Sequence, residues 1–272
     1  GSMHPEMLVE HIRKMKEATD KPWGINVPLL YPEIDRLMDI IIQEGVKIVF
    51  TSAGSPKKWT PLLKSHGITV VHVISSALFA KKCEEAGVDA VVAEGFEAGG
   101  HNGREETTTL TLIPNVVESC SLPVIAAGGI SSGKSVAAAM TLGAEGVQIG
   151  TRFAVAAESS AHPTFKQRVF DTEEGGTMLA LKKLAPTRLI KNDFFNQVKA
   201  LEDAGAEAAQ LTELLGKGRA KKGIFEGDMT EGELEIGQIA STLHKEESVA
   251  EIMEDIIADF NKTTSKLGDL KL

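Results

Sequence analysis

The residue best placed to do chemistry is a histidine set among glycines. The segment EGFEAGGHNG, residues 94–103, begins where the apolar run 89–94 ends. Glycines pack little and let a ligand approach the backbone, and imidazole exchanges protons near neutral pH. A lone histidine is usually structural, but at the end of a strand this pattern predicts a flexible loop at an active face. We therefore expect His101 to act as an acid or base.

Two further glycine segments end apolar runs. AAGGI, residues 126–130, precedes Ser131, Ser132 and a helical pattern, and QIGT, residues 148–151, ends the next run. A strand, a glycine pair and a helix N-terminus form an anion cradle, because free N–H groups then point at the ligand. The alternative is two tight turns. Their position after the last two strands favours a phosphate site made by Gly128, Gly129, Gln148, Gly150 and Thr151.

The remaining candidates are weaker. Asn26, in GINVP, is a candidate for hydrogen bonds to a flat heterocycle, because Asn is disfavoured within strands. We expect His72 to be a buried, hydrogen-bonded residue, and His162 to be a turn residue or to face the site. Cys83 and Cys120 are expected to be packing residues. The sequence has neither a Ser-His-Asp order nor metal-ligand spacing, so we expect no metal.

Six β-branched runs, each followed by a helical pattern, must position these residues. Alternating strands and helices predict a parallel sheet, and nearly continuous apolar strands suit a sheet covered on both faces. Helices are predicted at residues 5–19, 33–44 and 76–86. The runs are Trp23–Val27, Lys47–Thr51, Thr69–Ile74, Asp89–Glu94, Pro123–Ala127 and Gly146–Ile149.

A doubly wound sheet and a barrel both fit this alternation. No G-x-G-x-x-G follows the first strand, where a dinucleotide-binding sheet carries it. The glycine segments follow the final two strands, where (β/α)₈ barrels place a phosphate site. The sequence thus predicts an α/β TIM (β/α)₈ barrel. Because only six of its eight strands can be counted, we expect this chain to lack the first two.

The pattern changes after Thr151. Residues 159 to about 231 show no strand runs and predict a helical cap, including an Ala-rich helix at 201–215. An amphipathic helix from Val249 to about Asn261 is expected to return to the barrel. We therefore predict a barrel with the ligand site at 1–158, a cap at 159–232 and a C-terminal segment at 233–272. Residues 1–3 are consistent with the remnant of a cleaved expression tag.

Composition indicates a soluble globular protein of 272 residues with a net charge of −9 and a pI near 5.4. Acidity argues against nucleic acid as a partner. The absence of a long apolar run argues against a membrane, and no signal peptide is evident. Two cysteines fit a reducing cytoplasm. One basic stretch, GKGRAKKG at 216–223, predicts a solvated loop or a docking patch for an acidic partner or a phosphate-bearing cofactor.

Taken together, these segments resemble the family of FMN-dependent barrel oxidoreductases that contains nitronate monooxygenases (2-nitropropane dioxygenases) and the flavin-dependent enoyl-ACP reductase II. The resemblance runs from GINV at 24–27 through EAGGH-x-G, PVIAAGGI and VQIGTRF to GQIA at 237–240 and the last helix. It implies FMN at the strand C-terminal ends and His101 as the catalytic histidine. It also implies flavin contacts from Asn26, Glu94 and Gly99, with Gly128, Gly129, Gln148, Gly150 and Thr151 on the phosphate side.

The resemblance leaves three functions open. Nitronate-oxidising members often carry Gln at the position of Glu94, whereas enoyl reductases tend to carry Glu. We therefore expect NAD(P)H-dependent reduction of a trans-2-enoyl thioester on acyl carrier protein, in fatty acid synthesis. The alternatives are oxidation of a small-molecule nitronate by O₂, and a non-catalytic barrel that binds flavin or another phosphorylated ligand. The sequence leaves open whether the protein forms a homodimer.

Overall fold

The computed structural model describes residues 4–268, so the predicted tag remnant at residues 1–3 and the last four residues lie outside the description. The described chain forms two compact units. The first comprises residues up to 93 together with 115–125, and the second comprises 94–114 together with 126 onward. Among the described residues, no helix is long and apolar enough to cross a membrane.

Six strands form the main sheet. They are β1 (Ile25–Pro28), β2 (Ile48–Ser52), β3 (Thr69–Ile74), β4 (Ala90–Glu94), β6 (Val124–Ala127) and β7 (Gly146–Gln148). Their order in the sheet, β1-β2-β3-β4-β6-β7, follows the chain, and the two-residue strand β5 (Gly100–His101) belongs to a smaller sheet. The pairs β1–β2, β2–β3 and β3–β4 are parallel, with Ile25 opposite Val49, Val49 opposite Val70 and Val71 opposite Ala90.

Twelve α-helices are described within residues 4–268, and Gln238–Thr242 forms a 3₁₀ helix. Prolines at the first turns of α1 and α8 fit a position that needs no N–H donor. The helices are α1 (Pro5–Ala18), α2 (Ile34–Gln43), α3 (Thr60–Ser65), α4 (Ala77–Ala86), α5 (Thr109–Val117), α6 (Gly133–Thr141), α7 (Thr151–Ala154), α8 (Pro163–Phe170), α9 (Asp193–Asp203), α10 (Ala208–Leu215), α11 (Arg219–Ile224) and α12 (Val249–Gly268).

The predicted fold class is confirmed. All six β-branched runs form strands within two residues of the predicted bounds, in the sequential parallel order of a (β/α)₈ barrel. Within residues 4–268, β1 and β7 are the outer strands of the sheet, so the described residues supply six strands and do not close the barrel. The division into 1–158, 159–232 and 233–272 stays a prediction.

The stretch predicted as a cap of helices and loops contains the helices α8 to α11, but the expectation that it has no strands is wrong. β8 (Thr177–Ala180) and β9 (Thr187–Ile190) pair antiparallel, and β9 also pairs with β5 (Gly100–His101). The order of this small sheet is β5-β9-β8. The sequence gives little sign of it, because each strand has at most four residues and one partner lies far away along the chain.

Two helix predictions also need correction. The Ala-rich stretch at 201–215 is not one helix, because α9 ends at Asp203 and Gly205, with φ of +80°, turns the chain into α10. The final helix continues to Gly268, seven residues beyond the predicted Asn261. Its polar last turns lack the apolar spacing on which the prediction depended.

The first unit buries the apolar side chains of its strands and helices. Val49, Val70 and Val91 from β2, β3 and β4 are fully buried, as are Met38 and Ile41 of α2. These residues are the ones whose β-branched or helical spacing predicted the elements, so pattern and packing agree.

His72 is buried in β3, as predicted. Its Nδ1 lies 2.7 Å from the hydroxyl oxygen of Thr51. Burial lowers the pKa of His72 to about 4, which favours the neutral ring.

In the second unit, α12 packs against the start of α6. A Cβ on Gly133, the first residue of α6, would collide with the backbone of α12 at Phe260. The carboxylate of Asp259 accepts a hydrogen bond of 2.9 Å from the backbone N–H of Lys134. A carboxylate at a helix N-terminus is favourable, so α12 both covers and caps α6.

Arg152 of α7 makes hydrogen bonds to three other parts of the second unit. Its guanidinium donates to the carbonyl of Ser131 at 2.8 Å, to Glu247 at 3.0 Å and to Asp255 at 2.8 Å. The side chain is buried, with 8% of it exposed, so these acceptors compensate most of its desolvation. The turn after β6 is thereby joined to α7 and α12.

Gly133→Ala should destabilise the protein by about 2 kcal/mol or more, because the added methyl forces α6 and α12 apart. The measurement is the free energy of unfolding in urea. Lys134→Ala on the same helix is the control. It removes only an exposed ion pair and should cost less than about 1 kcal/mol. Equal losses in the two variants would contradict this account of the helix contact.

Candidate functional site

A cavity of about 240 Å³ opens in the second unit where β4, β6 and β7 end. Seven of the eight residues predicted to bind the cofactor line it: Glu94, Gly99, Gly128, Gly129, Gln148, Gly150 and Thr151. Parallel strands bring their carboxyl ends to one edge of a sheet, which is why segments far apart in sequence meet here. Glu97, Glu235 and several small or apolar residues complete the wall.

The backbone around the cavity is packed too closely for side chains at key positions. A Cβ on Gly128, whose φ is +89°, would lie 2.6 Å from the carbonyl oxygen of Gly95. A Cβ on Gly99 would collide with the backbone of Ile236 and Gly237. Glycine is therefore required at Gly128 both by conformation and by space, and at Gly99 by space.

The segment after Ile236 closes one side of the cavity through backbone hydrogen bonds. The N–H of Gly237 donates to the hydroxyl oxygen of Thr151 at 3.0 Å, and the N–H of Gln238 donates to the carbonyl of Glu97 at 2.9 Å. Thr151 uses its oxygen in this contact, so its hydroxyl proton is available to a ligand. These bonds join segment 237–238 to the loop at 94–103 and to the start of α7.

The predicted anion cradle needs a correction. Ser131 and Ser132 donate their N–H groups to the hydroxyl of Ser135, and Ser135 donates to Ser132. With Asp259 accepting from Lys134, the N-terminus of α6 is already satisfied by protein groups. Among the described residues, the N–H groups of Gly128, Gly129 and Ile130 donate to no protein acceptor. The donors available to an anion therefore belong to the glycine pair and not to the helix.

Glu97 has a structural task. Its carboxylate accepts from the N–H of Thr109 at 3.0 Å and from the Thr109 hydroxyl at 3.0 Å. The same hydroxyl lies 2.8 Å from the carbonyl oxygen of Gly128. These bonds fix the loop at 94–103 against the start of α5 and the turn after β6.

Glu94 differs from Glu97, because no hydrogen bond to its carboxyl is found within residues 4–268. It lies at the C-terminal end of β4 and faces the cavity. Burial raises the pKa of Glu94 to about 7. A carboxyl group with such a pKa holds or releases a proton near neutrality, which is typical of functional sites.

His101 lies on the short strand β5 and not on a flexible loop as predicted. It pairs with Thr187 of β9, and its side chain is exposed. The backbone of its neighbour Gly99 lines the cavity. Asn26 belongs to the first unit, where it is exposed on β1 and lines a separate, mainly apolar cavity together with residues of α1 and α2.

His162 and the basic stretch at 216–223 make contacts within the protein. His162 accepts from the N–H of Thr164 at 3.2 Å and caps α8, as the turn interpretation predicted. The stretch at 216–223 is largely the helix α11 and not a loop. Three of its four basic residues pair with acidic residues that follow in the chain: Arg219 with Glu231, Lys221 with Glu226 and Lys222 with Asp228.

Two polar residues of this region were missed in the sequence. Arg188 on β9 is fully buried, donates to the carbonyl of Phe96 at 2.7 and 3.1 Å, and stacks on the Phe96 ring. It therefore orients the loop at 94–103. Glu235 lines the cavity. In the sequence, both residues are charged residues among apolar ones, Arg188 in TRLI and Glu235 in ELEI. Ordinary edge strands show the same pattern, so it does not mark a functional residue.

The chemistry of this donor set fits the phosphate end of FMN. Backbone N–H groups of a glycine pair without protein acceptors, together with a threonine hydroxyl, are the donors that bind phosphate elsewhere. The cavity wall carries three carboxyl groups. Glu97 is engaged by Thr109, and burial raises the pKa of both Glu94 and Glu235, which reduces the negative charge a phosphate would meet.

Fold and site together define an α/β protein of sequential parallel strands with a phosphate-binding cavity at the strand C-terminal ends. Comparison with known sequences places it more closely. Residues 31–259 match the sequence model of the nitronate monooxygenase family. The chain belongs to this family of flavin-dependent oxidoreductases, which confirms the resemblance seen in the sequence.

Individual relatives are named for different activities. The chain is 29% identical over 301 residues to a (3aS,4S,5R,7aS)-5-hydroxy-7a-methyl-1-oxo-octahydro-1H-indene-4-carboxyl-CoA dehydrogenase of Rhodococcus jostii, covering 97% of this chain and 85% of the relative. It is 32% identical to a probable nitronate monooxygenase of Staphylococcus saprophyticus over 79% of this chain and 66% of that relative. Among solved structures, FabK from Thermotoga maritima has 39% identity and a TM-score of 0.93, over 98% of this chain and 85% of that one.

Glu94→Gln should flatten the pH dependence of stability. Above the ordinary pKa of 4.5 the unfolded carboxyl ionises, whereas folded Glu94 stays protonated until about pH 7. The fold therefore holds an extra proton in this window and loses stability as pH rises through about 7. The amide that replaces the carboxyl cannot titrate. In the variant, the slope of the unfolding free energy against pH should therefore fall by an amount that corresponds to up to about one bound proton. Urea unfolding across the window measures it, and identical slopes in the two proteins would contradict the assignment.

Proposed function

We propose that the protein reduces the double bond of a trans-2-enoyl thioester, carried on acyl carrier protein, with NAD(P)H and FMN. The observation that carries the proposal is the similarity to FabK, an enoyl-ACP reductase II, at 39% identity across 98% of the chain. The match to the probable nitronate monooxygenase is weaker, at 32% over 79%. The relative from Rhodococcus jostii supports a thioester substrate, because its name describes an acyl-CoA.

The chain's own residues would bind the cofactor at the cavity edge. The N–H groups of Gly128 and Gly129 and the hydroxyl of Thr151 would hold its phosphate, with Gln148 and Gly150 beside them. Glu94 and Gly99 would contact the ring system. The predicted flavin contact of Asn26, which lies in the first unit, stays a prediction. When bound, FMN supplies hydride acceptance from NAD(P)H and hydride donation to the substrate.

His101 has the chemistry to handle the proton that accompanies hydride transfer. Adding hydride to the β-carbon of an enoyl thioester leaves a basic α-carbon, which must gain a proton. An exposed imidazole beside the cavity wall can take that proton from solvent and pass it on. We therefore assign His101 a role in supplying this proton.

We propose an acyl carrier protein as the partner and the cytoplasm as the location. The pairing of Arg219, Lys221 and Lys222 with acidic neighbours lowers the net charge that α11 offers to an acyl carrier protein. Free Cys83 and Cys120 support a cytoplasmic location. Light scattering would distinguish a monomer from a homodimer.

Oxidation of a nitronate by O₂ is the second candidate. The family match over residues 31–259 and the identity to a probable nitronate monooxygenase favour it. In that reaction His101 would act as a base that removes the acidic proton next to the nitro group. The two candidates use the same cavity and differ in whether NAD(P)H is a substrate.

Anaerobic mixing of the FMN-loaded protein with NADPH or NADH tests the leading candidate. We expect rapid loss of the visible flavin absorbance, followed by its return when crotonyl thioester is added. A nitronate, mixed separately, should reduce the flavin slowly or not at all. If a nitronate bleaches the flavin and neither nicotinamide does, the protein is a nitronate oxidase and the leading proposal is wrong.

His101→Ala should lower turnover about 100-fold or more, since general acid–base groups contribute rate factors of this size. Flavin binding, measured by fluorescence quenching, should change little, because the His101 side chain is exposed. His244→Ala, which changes another exposed histidine of the same unit, is the matched control and should keep wild-type turnover. Unchanged turnover in His101→Ala would remove this residue from the mechanism.

A further inference from the structure

The carboxyl group of Glu235 lies where the cavity meets strand β5. It lines the cavity that Gly99, Gly128 and Thr151 also line. A Cβ built on Gly100 would lie 2.6 Å from its Oε2 atom, so the carboxyl lies directly over the residue that precedes His101. Gly100 has a φ of +72°, a conformation that suits glycine and leaves this space to the carboxyl.

The register of β9 gives the spacing between Glu235 and His101. His101 is opposite Thr187, Gly100 is opposite Arg188, and an isolated bridge places Glu235 opposite Leu189. The three residues therefore occupy consecutive positions along one edge of β9. Two steps of a strand correspond to about 7 Å between backbones, a distance that a glutamate and a histidine side chain can span.

The two side chains differ in access to water. His101 is exposed, whereas Glu235 is mostly buried in the cavity wall. Among residues 4–268 no hydrogen bond to the Glu235 carboxyl is found. Glu97, which also lines the cavity, differs in this respect, because its carboxylate accepts two hydrogen bonds from Thr109. Glu235 is thus a carboxyl group without a structural partner, between an exposed imidazole and an internal cavity.

The charges around Glu235 act in opposite directions. Burial raises the pKa of Glu235, and the positive charge of His101 lowers it. Glu94 and Glu97 line the same cavity as Glu235. Arg188 precedes Leu189, the residue opposite Glu235 on β9, and Glu233 is two residues before Glu235 in the chain. Glu233 is also buried, which raises its pKa to about 7, but it does not line the cavity.

We propose that Glu235 is a further proton-transfer residue of this site, and that His101 and Glu235 form a relay between solvent and the cavity. The O–H bond of Glu235 breaks as its proton goes to the basic α-carbon of the substrate, where a C–H bond forms. The resulting carboxylate takes a proton from the His101 imidazolium, and the neutral ring takes one from water. No electrons move in these steps.

The relay rests on the proposed function for its substrate, whereas the coupling of the two residues does not. The first experiment therefore needs no turnover. In protein labelled with ¹³C at glutamate carboxyls, the Glu235 resonance is identified by its loss in Glu235→Gln and followed against pH. His101→Asn, or His101→Gln as a second variant, should raise the pKa of Glu235 by about 0.5 unit or more, because a compensating positive charge is lost.

His244→Asn is the control for this titration and should leave the Glu235 midpoint unchanged. An unchanged or lowered midpoint in both His101 variants would overturn the pairing. So would an equal shift in His244→Asn, since that shift would reflect a change in overall charge and not a contact.

The second experiment measures turnover against pH. Glu235→Gln should lower turnover about 10-fold or more without changing flavin binding, and Glu235→Asp should restore part of it. Glu233→Gln, a buried neighbour outside the cavity, is the matched control and should keep wild-type turnover. Equal losses in Glu235→Gln and Glu233→Gln would overturn the relay. A wild-type protein inactive on both substrate classes would refute the proposed function and leave the titration to decide the pairing.

Discussion

The close contact of backbone with backbone around Gly95, Gly99, Gly128 and Gly237 is the constraint on which the site depends. Each of these residues faces another main chain or a threonine at a distance that leaves no room for a methyl group. Main-chain groups are rigid, so the cavity they enclose keeps its shape without help from mobile side chains. The polar residues described above act on this frame: Glu97, Thr109 and Arg188 hold the loop, and Thr151 holds the segment after Ile236.

Sequence patterns predicted the part of the fold that depends on local spacing. The six strands and the main helices of the barrel follow from β-branched runs and apolar periodicity, which are properties of single segments. The small sheet β5-β9-β8 was not predicted, because its strands are short and because β5 lies far from β9 along the chain, with Gly100 opposite Arg188. His101 was therefore assigned to a loop, although pairing with Thr187 makes it part of a strand.

The site divides in a similar way. Glycine pairs at strand ends carry their own signal, because few other roles require two glycines in that place, and Gly128, Gly129, Gly150 and Thr151 do line one cavity. The sequence does not predict which protein groups accept hydrogen bonds from the N–H donors that an anion would use. The N-terminus of α6 looked available to an anion, but Ser135 and Asp259 occupy its donors. Asp259 lies 125 residues away from its partner, beyond the reach of any local pattern.

The attachment of α12 to α6 and to Arg152 has a consequence for the order in which the protein is made. The ribosome completes the glycine turn after β6 more than a hundred residues before it completes α12. Until α12 arrives, the start of α6 lacks the Asp259 cap and the Arg152 guanidinium lacks Asp255. The cofactor site therefore reaches its final form only after α12 has been made. Cofactor binding would then report that the chain has been made through α12.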